Sequence, residues 1–344
     1  MSKKKNAVDE IFRESMDGER ALRRAQLVIA DMKREKEFYL KEIDRLEAEK
    51  TVYLSLGSRG NCKADKHSPI KSGEAVAVLA ISDVHLGEVV NPSKVNNQNV
   101  YNQTVAKQRL SEVFRRYVSL LGQFRHLAEI EEGVIFLGGD IVTGTIHEEL
   151  LESNDLSTPN SVLLGEELLE SGLRYVAKHA KLRCITVVCL SGNHDRTTNK
   201  IRHSTFVDNS YATIIYSHLR KRFLPDKRFQ FVIGDGEYAY ANIYEHRFRF
   251  THGHRIKFGG GVGGLTIPWT KHVMRMNRAD HADFTIGGHL HTFTVNFENG
   301  FMVNGSVIGD TPYSLPYGHQ EPCQGMVIVD KKRCVTAAVP VYCE

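Results

Sequence analysis

No run of about 18 apolar residues occurs anywhere in this chain of 344 residues, so nothing in it reads as a membrane-spanning helix. The opening stretch, MSKKKNAVDE, has no apolar core of the kind a secretion signal needs. Cysteine is scarce: six residues, at 62, 184, 189, 323, 334 and 343, with no CxxC pair among them. That spacing argues against a disulfide framework and against a thiolate metal site, and points to reduced thiols in a cytoplasm. There is no internal repeat. Neither sign of charge dominates, with 45 Lys+Arg against 41 Asp+Glu and a net charge of +4. Apolar residues make up 41% and charged residues 25%, the balance of a soluble globular protein. The length suits one large α/β domain with an appendage, or two modest domains.

Residues 1–50 differ from all that follows. Half are charged, 13 Lys+Arg and 12 Asp+Glu, with no proline and only Gly18 as a breaker. Leu22, Ala25, Ile29, Met32, Tyr39, Ile43 and Leu46 occupy the a and d positions of a heptad register, with Lys36 the polar exception. The pattern predicts an amphipathic, coiled-coil-like helix over 1–53 with a narrow apolar seam. That seam either lies against its own domain or joins a partner helix, as a homodimer or with another protein. Residues 54–73, rich in Gly, Ser and Lys, read as a linker, and the globular domain spans 74–344.

Within that domain one pattern recurs. AVAVLAIS runs into Asp83 and His85, GVIFLGG into Asp140, and CITVVCLSG into Asn193, His194 and Asp195. FRFT then runs into His252 and His254, and DFTIGG into His289 and His291. The first three segments are nearly continuous Val/Ile/Leu runs, as expected of strands buried on both faces. Between them lie helical patterns, Leu110, Val113, Phe114, Tyr117, Leu121 and Phe124, then Leu164, Leu168 and Val176. Alternating strands and helices imply βαβ units and a largely parallel sheet, an α/β fold. Sites in such sheets form outside the carboxyl ends of the strands, so the five ends are expected to converge on one edge.

Aspartate, asparagine and histidine without thiolate make a mixed oxygen and nitrogen donor set. It suits Mn²⁺, Fe or Zn²⁺ better than Ca²⁺, Mg²⁺ or copper. The donors outnumber what one ion needs, and two ions sharing a carboxylate would use them all. Such a pair clamps the attacking and leaving oxygens of a displacement at phosphorus. The expected chemistry is therefore metal-assisted phosphoester hydrolysis.

These blocks, in this order, resemble the five signature blocks of the calcineurin-like metallophosphoesterases: Asp83-x-His85, Gly139-Asp140, Gly192-Asn193-His194-Asp195, Thr251-His252-Gly253-His254 and Gly288-His289-x-His291. The resemblance covers roughly residues 76 to 310. It implies a β-sandwich flanked by helices and two divalent ions, Mn²⁺ foremost, with Fe or Zn²⁺ as alternatives. Asp83, His85 and His291 would hold the first ion, Asn193, His252 and His289 the second, and Asp140 would bridge them. His194 would protonate the leaving oxygen or stabilise charge, and Asp195 would orient its imidazole. His254 either lines the substrate pocket or steadies its turn. Arg196 and Lys200 are candidate phosphate contacts, with solvated loop charge as the alternative.

His147, His203, His218, His246, His272 and His281 read as ordinary structural or surface histidines. The glycine cluster at 259–264 lacks the Lys-Ser/Thr of a phosphate-binding P-loop and reads as a flexible loop before a helix initiated by Pro268.

Two features bear on the substrate. The chain has GDIVTG and GNHD where protein phosphatases of the superfamily carry GDxxDRG and GNHE. Residues 196–278 hold 15 Lys+Arg against 5 Asp+Glu, interleaved with aromatics, a pattern that fits a nucleic-acid surface. The alternative is solvated strand faces whose aromatics pack inward. GNHD with HGH and GHxH, and no DRG, looks most like the bacterial and phage DNA-repair nuclease branch. Members of that branch usually carry a C-terminal extension that caps the site and binds a partner ATPase. This chain runs only about fifty residues past His291 and carries its extension at the N-terminus, which puts that partner in doubt. The leading expectation is a Mn²⁺-dependent nuclease. A phosphatase or phosphodiesterase for small nucleotides comes second, and a non-catalytic scaffold a distant third.

Overall fold

A computed structural model of the chain describes residues 72–258, 264–315 and 318–344, with residues 18, 22, 23, 26, 29, 30, 32–44, 46 and 47. Ala25, most of the expected linker, and residues 259–263 lie outside the described residues. The chain divides into two compact units, Met1–Ser68 and Pro69–Glu344. In the first, the described residues are helical. Leu22, Ile29, Met32, Tyr39, Ile43 and Leu46 of the heptad seam are each at least half exposed. No helix among the described residues is long and apolar enough to cross a membrane.

The second unit is a mixed α/β fold of two sheets flanked by helices. Its first sheet takes β1 (Ser72–Ile81), β2 (Ala128–Leu137), β3 (Cys184–Cys189) and β4 (Phe229–Ile233) as parallel neighbours. On the other side of β1 the antiparallel β10 (Cys323–Asp330) and β11 (Cys334–Tyr342) complete it. The second sheet has the order β5 (Tyr238–Ile243), β6 (His246–Thr251), β7 (Phe284–Gly287), β9 (Phe301–Val303) and β8 (Thr294–Asn296). Helices α1 (Gln103–Phe124), α2 (Glu148–Ser153), α3 (Thr158–His179) and α4 (Tyr211–Phe223) fall between successive strands of the first sheet. Helix α5 (Thr266–Ala279) lies between β6 and β7.

Strand β1 shows why its run is apolar throughout. Ala75, Ala77, Leu79 and Ile81 enter the core beneath the helices. Val76, Val78 and Ala80, on the alternate face, enter the core between the sheets, where Phe248, Phe250, Phe284 and Ile286 meet them. Helix α1 starts where the Asn102 side chain accepts from the backbone N–H of Thr104 and Val105. Its buried Leu110, Phe114, Tyr117 and Leu121 recur at spacings of three and four, the helix-facing stripe read from sequence. Helix α3 answers with Gly172, where an added Cβ would lie 1.9 Å from the Phe114 ring. The helix expected at Pro268 begins two residues earlier, at Thr266. Proline is tolerated there because the first-turn N–H groups have no partner inside the helix.

One expectation changes in detail. The five ligand-bearing ends do not belong to one sheet edge. β1, β2 and β3 lie in the first sheet and β6 and β7 in the second, and packing of the two inner faces brings their carboxyl ends together.

Candidate metal centre

The loops that follow β1 and β2 run side by side. The backbone N–H groups of Asp83, Val84, His85 and Leu86 donate to the carbonyls of Gly139, Asp140 and Ile141. Asp83, His85, Asp140, His289 and His291 all have positive φ, between 49° and 72°. Side chains rarely adopt that backbone, and such strain concentrates where surrounding structure imposes it at functional sites. Glycine allows the close approach: a Cβ on Gly192 would lie 2.1 Å from Asp140 Oδ1, and one on Gly288 would lie 2.5 Å from Asp83 Oδ2.

Two clusters of donors result. The donor atoms of Asp83, His85 and His291 lie within 4.8 Å of one another, as do those of Asp140, His252 and His289. In the first cluster, His291 Nε2 is 3.2 Å from His85 Nε2 and 3.4 Å from Asp83 Oδ1. In the second, His252 Nε2 is 3.0 Å from Asp140 Oδ2 and 3.1 Å from Asn193 Oδ1. Asp140 Oδ2 is also 3.9 Å from His85 Nε2, so one carboxylate oxygen faces both clusters.

Outer contacts fix the donors. His252 Nδ1 donates to the Gly138 carbonyl at 2.7 Å, which fixes the ring and turns Nε2 toward Asp140 and Asn193. Asp83 accepts from the His289 backbone N–H and from Ser82 Oγ. Ser82 Oγ in turn accepts from Asn304 Nδ2 at 2.8 Å, and Asn304 Nδ2 also donates to Gln324 Oε1 at 3.0 Å. Ser82, Asn304 and Gln324 are fully buried, and no motif pointed to them.

The electrostatics suit cations. Burial alone would raise Asp83 and Asp140, yet both are held below the usual carboxylate range, Asp83 by His291 and Asp140 by His252 and His194. Burial alone would likewise lower His252, but the Asp140 carboxylate lifts it to about 10, and Asp83 raises His291 in the same way. The two buried carboxylates and these two imidazoles thus favour one another's charged forms. Divalent ions bound to the same oxygen and nitrogen donors would supply that positive charge, and the residues fit two of them.

His194 stands over this centre. Its ring meets His85 edge-on at 4.6 Å between centroids, its backbone N–H donates to Asp140 Oδ1, and its Nδ1 faces the Thr143 carbonyl at 3.0 Å. With Nδ1–H directed to that carbonyl, Nε2 is the atom left for a reacting group. Burial lowers its pKa against the pull of Asp140.

The role expected of Asp195 needs correction. Its oxygens accept from the backbone N–H groups of Asp140, Ile141, Val142 and Gly192, and the Thr143 carbonyl, not Asp195, faces the His194 ring. The turn carries Asp195 inward, to full burial, where it clamps the β2 loop to the β3 loop. Burial and the neighbouring Asp140 push its pKa up to about 7.

The remaining candidates differ among themselves. Arg196 directs its guanidinium to the carbonyls of Asn193, Thr198 and Asn199, so it braces its own loop. Lys200 is exposed on that loop. The His254 side chain is buried against Phe206, with both ring nitrogens unpartnered among the described residues and Glu237 Oε2 3.7 Å away. Of the histidines read as structural, His218 pairs with Glu166, His246 accepts from the Cys334 N–H, and His203 meets Arg255. His272 Nε2 lies 3.3 Å from the Tyr238 hydroxyl, and His281 is exposed. His147 is exposed, with its ring centroid 5.8 Å from that of His194. Glu88 is a further residue the motifs missed. It lies half-buried beside His85, and that burial raises its pKa to about 7.

The basic segment divides. Phe248 and Phe250 pack between the sheets, Arg247 pairs with Asp280, and Arg249 is wholly buried against Thr285 and Asn277. Arg222 and Arg228 are held by Glu166 and Asp226. By contrast Lys200, Arg202, His203 and Lys257 are exposed on the loops that follow Asn193 and His252, and Arg255, also exposed, pairs with Glu237 at 2.8 Å. The stack of His254 on Phe206 and the Arg255–His203 contact tie those loops together.

Residues 76–293 match the family model described as calcineurin-like phosphoesterase, from β1 through His291. The chain belongs to this family. Membership and the two donor clusters together support a metal-dependent phosphoester hydrolase. No curated protein matches the chain. Among solved structures, it is similar at 14% identity to a single mutant of Vps29 from Entamoeba histolytica, over 77% of this chain and 98% of that one, with a TM-score of 0.33. A predicted phosphoesterase from Streptococcus pneumoniae TIGR4 is also 14% identical, over 77% and 98% of the two chains, with a TM-score of 0.32. A hypothetical protein from Pyrococcus horikoshii OT3 is 13% identical over 78% and 88%, with a TM-score of 0.37.

Proposed function

We propose that the chain is a two-metal phosphodiesterase whose substrate is a nucleic acid, with Mn²⁺ as the working ion. The observation that carries this reading is the placement of Asp140 Oδ2, 3.0 Å from His252 Nε2 and 3.9 Å from His85 Nε2, between two sets of donors. In this reading Asp83, His85 and His291 hold one ion, Asn193, His252 and His289 the other, and Asp140 both. Ions held there would supply Lewis-acid charge for a displacement at phosphorus. His194 directs Nε2 at the ester oxygens, and a phosphate against its ring offsets the burial that lowers its pKa. Asp195 keeps Asp140 and His194 in register by holding both loops.

Nucleic acid is favoured by the exposed Lys200, Arg202 and Lys257 on the loops that follow Asn193 and His252, along which a polyanion could extend from the scissile phosphate. The GNHD, HGH and GHxH blocks without DRG lean the same way. A scaffold would not need the full donor set and His194, and both are present. The exposed N-terminal seam is proposed as a self-association surface, which sedimentation of the full chain would reveal.

The test uses a labelled single-stranded oligonucleotide with Mn²⁺ at rising salt. Cleavage that weakens with salt, and weakens further when Lys200 and Arg202 become glutamate, is the expected result. Turnover of small diesters with no oligonucleotide cleavage would reassign the substrate to small phosphoesters.

A further inference from the structure

We infer that Glu88 is a positioning residue for the first metal site, acting through His85. The inference rests on reading the two clusters as metal sites. His85 directs Nε2 toward His291 and Asp140, so its Nδ1 points away from the centre. That nitrogen is buried and has no hydrogen-bond partner among the described residues. Glu88 Oε2 lies 3.7 Å from it, just beyond hydrogen-bond distance.

The approach is built into the backbone. The Glu88 N–H donates to the His85 carbonyl at 3.2 Å, which folds the chain back by one turn and sets the two side chains together. Thr143 holds the carboxylate from the other side, its hydroxyl 3.4 Å from Glu88 Oε2. The same residue donates its N–H to the Leu86 carbonyl and offers its own carbonyl to His194 Nδ1. One residue thus connects the acceptor behind His85 with the acceptor behind His194.

A histidine that binds a metal through one nitrogen is held in tautomer and orientation by an acceptor at the other. His252 has such an acceptor in the Gly138 carbonyl. His85 has no carbonyl in that place, and Glu88 is the acceptor positioned to serve. Were Nε2 to hold an ion, Nδ1–H would donate to the Glu88 carboxylate and the ring would be held toward the first site.

The experiment measures Mn²⁺ binding to the metal-free full chain, as stoichiometry and two affinities, for wild type, Glu88→Ala, Glu88→Gln and Thr143→Val. Glu88→Ala is expected to weaken one of the two ions by about 10–100-fold and leave the other unchanged, which also shows that the protein is folded. Glu88→Gln keeps an acceptor oxygen and should recover most of that loss, while Thr143→Val should show a smaller loss at the same site. Two ions bound with wild-type affinities by Glu88→Ala would overturn the inference, as would a Glu88→Gln protein as weak as the alanine. If the wild type itself binds fewer than two ions, the reading of the clusters fails, and this inference with it.

Discussion

Replacing Asp195 by alanine separates two accounts of that residue. Its carboxylate is wholly buried, with Ile141 and Val142 N–H at 3.0 and 3.2 Å from Oδ1 and Asp140 and Gly192 N–H at 2.7 and 2.8 Å from Oδ2. A buried donor left without an acceptor costs about 1–3 kcal/mol, so four such donors set a lower bound of about 4 kcal/mol. In a domain of this size 1 kcal/mol moves Tm by about 2–4 °C, which predicts a fall of roughly 8 °C or more. Asp195→Asn keeps one oxygen and turns an amide N–H₂ toward two of the four donors, so its fall should be about half as large. The assay is thermal unfolding of the three proteins at one fixed Mn²⁺ concentration, because bound metal shifts Tm by mass action. A fall of less than about 2 °C in the alanine variant would refute the clamp. If that variant also lost turnover, Asp195 would act on the His194 ring after all, as its place in the GNHD block suggests.

Two further outcomes follow from the same geometry. His194→Ala should slow turnover by about 10²–10⁴-fold while the protein still binds two ions, because no ligand is removed; loss of metal in that variant would make His194 a ligand instead. The metal-free chain should lose stability as pH rises. His252, at about 10, and His291 have folded-state values above the ordinary imidazole value, so their contribution is complete below about pH 6.5 and is lost as pH climbs through the folded values. Thermal melts of metal-free and Mn²⁺-loaded protein between pH 6 and 9 check this, and the gap between them should widen with pH. A constant gap would contradict the charge balance described for the two clusters.

Much of the site was legible because its donors sit at strand ends, where an apolar run stops abruptly at Asp, Asn or His. What could not be read were the contacts made across long stretches of chain. Gln324 accepts from the Ser82 N–H across 242 positions, and nothing local to either residue announces the pair. Asp195 misled because adjacency in sequence suggested a contact with His194, whereas the turn sends the two side chains to different partners. His147 looked like a surface histidine and is exposed, yet the loop after Asp140 carries it to within 5.8 Å of the His194 ring. The alternation Arg247-Phe248-Arg249-Phe250 correctly implied inward aromatics. It did not reveal that Arg249 would be buried against Asn277 of α5 instead of facing solvent. The two sheets were expected from the family resemblance, but which strand joins which sheet was not, since periodicity reports which faces are buried but not which partner buries them.

The measurement that bears most directly on the central claim is hydrolysis of bis-p-nitrophenyl phosphate by the metal-free chain, the Mn²⁺-reloaded chain and the reloaded Asp140→Asn variant. Turnover that appears only on reloading, and is lost when the shared carboxylate becomes an amide, is the predicted result. Equal turnover by all three proteins would contradict a metal-dependent phosphodiesterase centred on Asp140.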